Sequence, residues 1–125
     1  MDPRSQRLWQ RGMVHFRDGN IAAAQAAFEA MLVINPDSGP ALFRLSLLQA
    51  RQGRFQAATR LALLALENQP DRIEVLTHLA RCRVMTGEPE AARALATAAL
   101  ALPRDNAVAL DSLGVNRATL MHQLP

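Results

Sequence analysis

Residues 50–58 read Ala50-Arg-Gln-Gly-Arg-Phe-Gln-Ala-Ala58, and every residue in the stretch except the glycine suits a helix. Gly53 costs a helix interior about 1 kcal/mol relative to alanine. Its role follows from an interval. Glycines stand at Gly19, Gly53 and Gly87, 34 residues apart. Leu8, Leu42, Leu76 and Leu110 keep the same spacing. So do Ala24, Ala58 and Ala92, then Leu32, Leu66 and Leu100, then Asp37, Asp71 and Asp105. Small residues recur at Gly12, Ser46, Ala80 and Gly114, and Pro36 and Pro70 fit the interval, while Pro103 falls one residue early. Parallel series on one interval define a structural period. Gly53 is therefore punctuation, where the chain leaves one helix for the next. The prolines mark the other boundary, where the second helix of a unit ends.

The period predicts helix pairs over residues 5–18 and 21–34, 40–51 and 55–68, and 73–85 and 89–101, with a single helix over 107–120. Pro40 and Pro89 fall in first helical turns, where a missing N–H is harmless. Asp71 followed by Glu74 reads as a capping box. Leu42, Leu45 and Leu48 form an apolar stripe, and Leu76, Leu79 and Arg83 a weaker one.

A 34-residue helix–turn–helix unit with an early Leu, a small residue four places on, Gly between the helices, Ala in the second helix and a closing Pro resembles the tetratricopeptide repeat. The resemblance covers nearly the whole chain. It implies an all-α, right-handed α-solenoid of antiparallel helix pairs with about seven helices. Residues 1–125 would form one domain, with repeats at 5–38, 39–72 and 73–106 and a capping helix at 107–120. The sequence departs from the family where an aromatic is common late in the first helix, having His15, Gln49 and Arg83 there. The aromatic of the second helix survives as Phe28 but becomes Ala62 and Ala96.

Composition agrees with close-packed helices. Half of the 125 residues are hydrophobic, mostly Ala and Leu, with one Trp and no Tyr. Net charge is only +3, yet the pI is about 10.9, because all fourteen basic residues are Arg and arginine does not titrate in the accessible range. Exclusive use of Arg with much Ala points to a GC-rich bacterial genome. Cys82 is the only cysteine, so no internal disulfide forms and a reducing compartment is compatible. The N-terminal MDPRSQRLWQ lacks the apolar core of a signal peptide. The most apolar run, Ala94 to Leu102, is about half of what a membrane span needs. A cytoplasmic protein without membrane insertion is the expectation.

Such units bury their apolar faces by stacking on neighbours. In tetratricopeptide arrays the first helices line a concave surface, which suits an extended segment or a helix. Equivalent positions of the first helices predict a peptide-binding groove of Trp9, Met13, Phe16 and Arg17; Phe43, Arg44, Leu47 and Arg51; and Thr77, His78, Arg81 and Met85. The last helix adds Asp111, Ser112 and Val115. This is an apolar floor with an arginine rim, unlike the Lys/Asn set with which the family clamps a terminal carboxylate. It predicts an apolar or amphipathic, partly acidic partner peptide. Phe43 is the foremost groove candidate. Trp9 serves equally as a cap on the first core, Phe16 fits the core better than the groove, and Arg44, Arg51, Arg54 and Arg60 also fit a solvated surface.

Catalytic and metal motifs are absent. His15, His78 and His122 lie far apart, and His78 with Cys82 makes only an i, i+4 pair, too few ligands for structural zinc. Cys82 reads as a small core residue. Glu88 and Glu90 suit a helix start. No cofactor, metal or enzymatic activity is predicted.

The leading reading is a protein-interaction module, an adaptor or chaperone-like scaffold whose partner is another protein or peptide. A second is the tetratricopeptide portion of a larger protein, an enzyme among the options, motivated by the terminal LGVNRATLMHQLP, which reads as a helix and the start of another. RNA binding is a lesser alternative, opposed by the weak net charge and the lack of Tyr. Self-association through apolar end faces is a fourth expectation.

Overall fold

The structure, a computed structural model, describes residues 1–68 and 71–102. These residues form α1 (Pro3–Arg17), α2 (Ile21–Ile34), α3 (Gly39–Arg51), α4 (Phe55–Asn68), α5 (Arg72–Met85) and α6 (Pro89–Leu100). No strand occurs among them. The expected helix at 107–120, with Asp111, Ser112 and Val115, lies outside the described residues, as do Pro70, Pro103 and His122.

Local chemistry sets the helix ends. Ser38 caps α3 by accepting from the N–H of Ala41, and Asp71 caps α5 by accepting from that of Glu74. Pro40 and Pro89 occupy first turns. Each first helix closes in the same manner. Gly19, Gly53 and Gly87 adopt φ of 77°, 78° and 77°, the left-handed region that only glycine enters freely. Around Gly53, its own N–H donates to Ala50 O and that of Arg54 to Gln49 O. This paired pattern satisfies carbonyls a helix end leaves open. It recurs at Gly19 with Phe16 O and His15 O, and at Gly87 with Val84 O and Arg83 O.

Helices pack as antiparallel pairs, α1 on α2, α3 on α4 and α5 on α6, and the pairs stack through α2 on α3 and α4 on α5. The core sits at the junctions between pairs. Ala24, Phe28 and Met31 of α2 join Ala41, Leu45 and Leu48 of α3, with Leu8 and Trp9 of α1 against them. Leu42 and Phe43 of α3 join Ala62 and Ala65 of α4 and Val75 and Leu79 of α5. A single pair could bury neither set, so the stack is the stable unit. The recurring Ala24, Ala58 and Ala92 are all buried.

Sizes are matched locally. Phe28 fills the first repeat, and a Cβ on the facing Gly12 would stand 2.7 Å from its ring. At the equivalent positions of the second repeat the sizes reverse, to Ala62 and Ser46.

The outer side of α1 differs from its counterparts. Ala41, Leu45 and Leu48 of α3, and Val75, Leu79 and Cys82 of α5, are buried. The equivalent residues of α1 are Arg7, Arg11 and Val14, all exposed. Of the apolar end faces expected for self-association, the one at α1 is thus polar.

Candidate functional site

The predicted groove residues lie on α1, α3 and α5. Their common spacing gives them a common direction, but the stack sets their depth. Trp9, Met13, Phe16 and Leu47 are half-buried, whereas Arg17, Arg51, Arg81 and Met85 are exposed. Trp9 faces two ways: its ring meets Phe28 of the core at 5.6 Å between centroids, in a tilted arrangement, and its other neighbour is Arg44.

Three expected groove residues are interior instead. Phe43 retains 2 % of its surface, because α4 and α5 close over it. It underlies the face and offers no contact surface, which corrects its place as foremost candidate. Thr77 is buried, its one hydroxyl proton shared between Ile73 O and Glu74 O, each at 3.0 Å. His78 is buried edge-on to the Phe43 ring, 5.6 Å between centroids.

A polar chain holds His78. Ser46 Oγ donates to Ala58 O at 2.6 Å. That spends its one proton, so the imidazole Nε2, 2.8 Å away, is the donor to Ser46 Oγ. The Cys82 sulfur lies 3.7 Å from the same nitrogen. Burial, aided by the Arg81 charge, pushes the His78 pKa down to about 4, so the ring is neutral at pH 7. Burial also pushes the Cys82 thiol up, which leaves it protonated and unreactive.

The arginines are more ordered than a solvated rim. Arg44 is half-buried, with its guanidinium carbon 5.7 Å from the Trp9 centroid, 5.3 Å from Phe16 and 5.8 Å from Phe43. Each distance is within cation–π range. Arg51 stacks on Phe16 at 4.0 Å and donates to Phe16 O at 3.2 Å. Phe16 therefore meets two guanidinium groups from the next repeat. Arg54 and Arg60 are exposed. Burial pushes the Arg44 pKa down, and the Glu74 charge opposes that shift. Glu74, also half-buried, is raised by desolvation and lowered by Arg44.

The result is a face of aromatic and aliphatic side chains with a fixed cation in its middle. Spacing alone did not disclose Ser46 as a hydrogen-bonding residue, nor Arg44 as the centre of three rings. The signal for the latter was present, since Arg44 stands one residue after Phe43 and on the first helix of the repeat that follows Trp9 and Phe16. Among the described residues no group of three or more His, Cys, Asp or Glu is placed to hold a metal ion. No helix among them is long and apolar enough to cross a membrane.

The tetratricopeptide repeat family model matches residues 15–76, a span that includes the turns at Gly19 and Gly53. The chain is a tetratricopeptide-repeat protein. Solved structures share this architecture at low identity. The type III secretion translocator chaperone SycD of Yersinia enterocolitica, in an alternative dimer, is similar with a TM-score of 0.81 at 16% identity, covering 99% of this chain and 91% of that one. The TPR2B domain of yeast Sti1, in a pHsp70 complex, is similar with a TM-score of 0.80 at 16% identity, over 98% of this chain and 99% of that one. PcrH, in complex with the chaperone binding region of PopB, is similar with a TM-score of 0.78 at 17% identity, over 91% and 95%. No curated protein matches the sequence.

Proposed function

We propose that this protein is a non-enzymatic interaction module, an adaptor or chaperone-like scaffold of the bacterial cytoplasm. It takes an amphipathic, partly acidic segment of another protein along the face of α1, α3 and α5. Residues 1–125 act as one domain. The observation that carries this reading is the half-buried Arg44 among Trp9, Phe16 and Phe43. Aromatic and Arg side chains in partly desolvated positions are the usual anchors of protein interfaces. PcrH with a region of PopB, and the Sti1 domain with pHsp70, offer the analogy that folds of this shape hold a partner's segment.

The test is affinity capture from the native cell extract with mass spectrometry. Leu47→Asp charges the proposed face, and Leu64→Asp charges the exposed Leu64 of α4 as a control. Circular dichroism checks that both variants fold. A protein retained by wild type and the Leu64 variant but lost from the Leu47 variant supports the reading. Loss from the Leu64 variant alone moves the site to the α4 side and overturns it.

A further inference from the structure

Arg44 is an arginine with its orientation fixed and its hydrogen bonds open. Three rings from α1 and α3 surround it. Among the described residues it makes no side-chain hydrogen bond, and the ion pair found there is Arg83–Glu88 at 2.9 Å. Rings satisfy a guanidinium's charge through its face but leave its N–H donors, which lie in the plane. Holding a half-buried cation with free donors is costly unless something accepts from them. Its neighbour Arg51 is already engaged with Phe16 O, and its charge adds to the positive potential at Arg44.

We infer that Arg44 is the specificity-determining residue of this face and reads one internal Asp or Glu side chain of the partner segment, flanked by apolar residues that rest on Trp9, Met13 and Leu47. This rests on the reading that the face binds a peptide. A carboxylate matches the planar fork of a guanidinium and forms the stronger class of hydrogen bond. Arg44 stands on α3, the middle of the three helices, with α1 on one side and α5 on the other, so the residue it meets is an internal one. Glu74 acts on Arg44 through charge without forming an ion pair, so it leaves the Arg44 donors free while its own negative charge opposes the incoming carboxylate.

The experiment pans random 15-residue peptides, displayed by their C-terminal fusion to phage, against the full chain. Wild type is expected to enrich peptides with a single Asp or Glu at a fixed place among apolar residues. The chosen peptide, made synthetically, should bind Arg44→Met about 10- to 100-fold more weakly, as loss of a charged hydrogen bond implies. Arg44→Lys should bind it at intermediate strength, and Glu74→Gln more tightly than wild type. Panning on Arg44→Met should lose the acidic place while keeping the apolar ones. Enriched peptides without an acidic place, or an acidic place that survives Arg44→Met, overturn the inference and leave the binding face standing. Loss of binding on amidating the synthetic peptide's C-terminus also overturns it, since the carboxylate read is then terminal. Failure of wild type to enrich any peptide overturns the underlying reading itself.

Discussion

The Ser46 hydroxyl stands 2.8 Å from Nε2 of His78 and ties the second repeat to the third. Both groups are buried, and Ser46 passes the chain on to Ala58 O. A buried donor left without its acceptor costs about 1–3 kcal/mol. Ser46→Ala should lower unfolding stability in urea by about that amount. Nitrogen-15 NMR should find the Nε2–H tautomer of His78; an Nδ1–H tautomer contradicts the proton assignment.

The same histidine makes stability depend on pH. Its pKa is about 4 in the fold and about 6.5 in an unfolded chain. Between these values the unfolded state binds the extra proton, so stability falls as pH drops from about 6.5 to about 4 and loses little more on this account below that. The full effect is on the order of 3 kcal/mol. A His78→Gln variant should show a flatter stability profile across that window. Parallel profiles in the two proteins would refute the assignment.

Gly12 and Phe28 form a second coupled pair. A Cβ at position 12 would meet three ring atoms of Phe28 at 2.7, 2.8 and 3.1 Å. The ring is fully buried against Trp9 and has no easy retreat. Gly→Ala normally gains about 1 kcal/mol in a helix, but overpacking costs about 1–3 kcal/mol. Gly12→Ala should therefore be neutral to destabilising by about 2 kcal/mol in the native background, and should be stabilising once Phe28→Leu opens the space. A double-mutant cycle with no coupling would show that the ring moves freely.

The outer side of α1 predicts how the stack accepts neighbours. Docking another repeat there, as α4 docks on α5, would bury the guanidinium groups of Arg7 and Arg11 where Val75 and Leu79 lie in α5. Burying charges without partners costs several kcal/mol. A copy of residues 39–72 fused ahead of residue 5 should melt independently of the rest. With Arg7→Val and Arg11→Leu it should join a single transition at a higher Tm, read by calorimetry. One transition without those substitutions would show that the arginines do not block stacking.

How much of this was legible in the sequence depends on the quantity asked for. The glycine interval marked the three turns, whose φ values agree to a degree, and the helix limits followed within two residues. Periodicity conveys direction, because residues 34 apart point the same way. It does not convey depth. Trp9, Phe43 and Thr77 share one position of the repeat, yet Trp9 is half-buried and the others are interior. Phe43 has packed neighbours in α4 and α5, and depth of that kind comes from what the stack adds on either side. His78 and Arg81 show the same limit within one turn of α5, one buried and one exposed. Arg44 read equally as groove rim and as solvated charge, because two of its three rings, Trp9 and Phe16, belong to another repeat.

The polar side of α1 bears also on how such a chain can change over generations. A gene that duplicates one 34-residue unit between existing repeats hands the new copy an apolar neighbour on each side, and the protein folds around it. The same duplication placed against α1 delivers an apolar surface to Arg7 and Arg11. Lengthening by this route is therefore open within the array and closed against the arginines of α1.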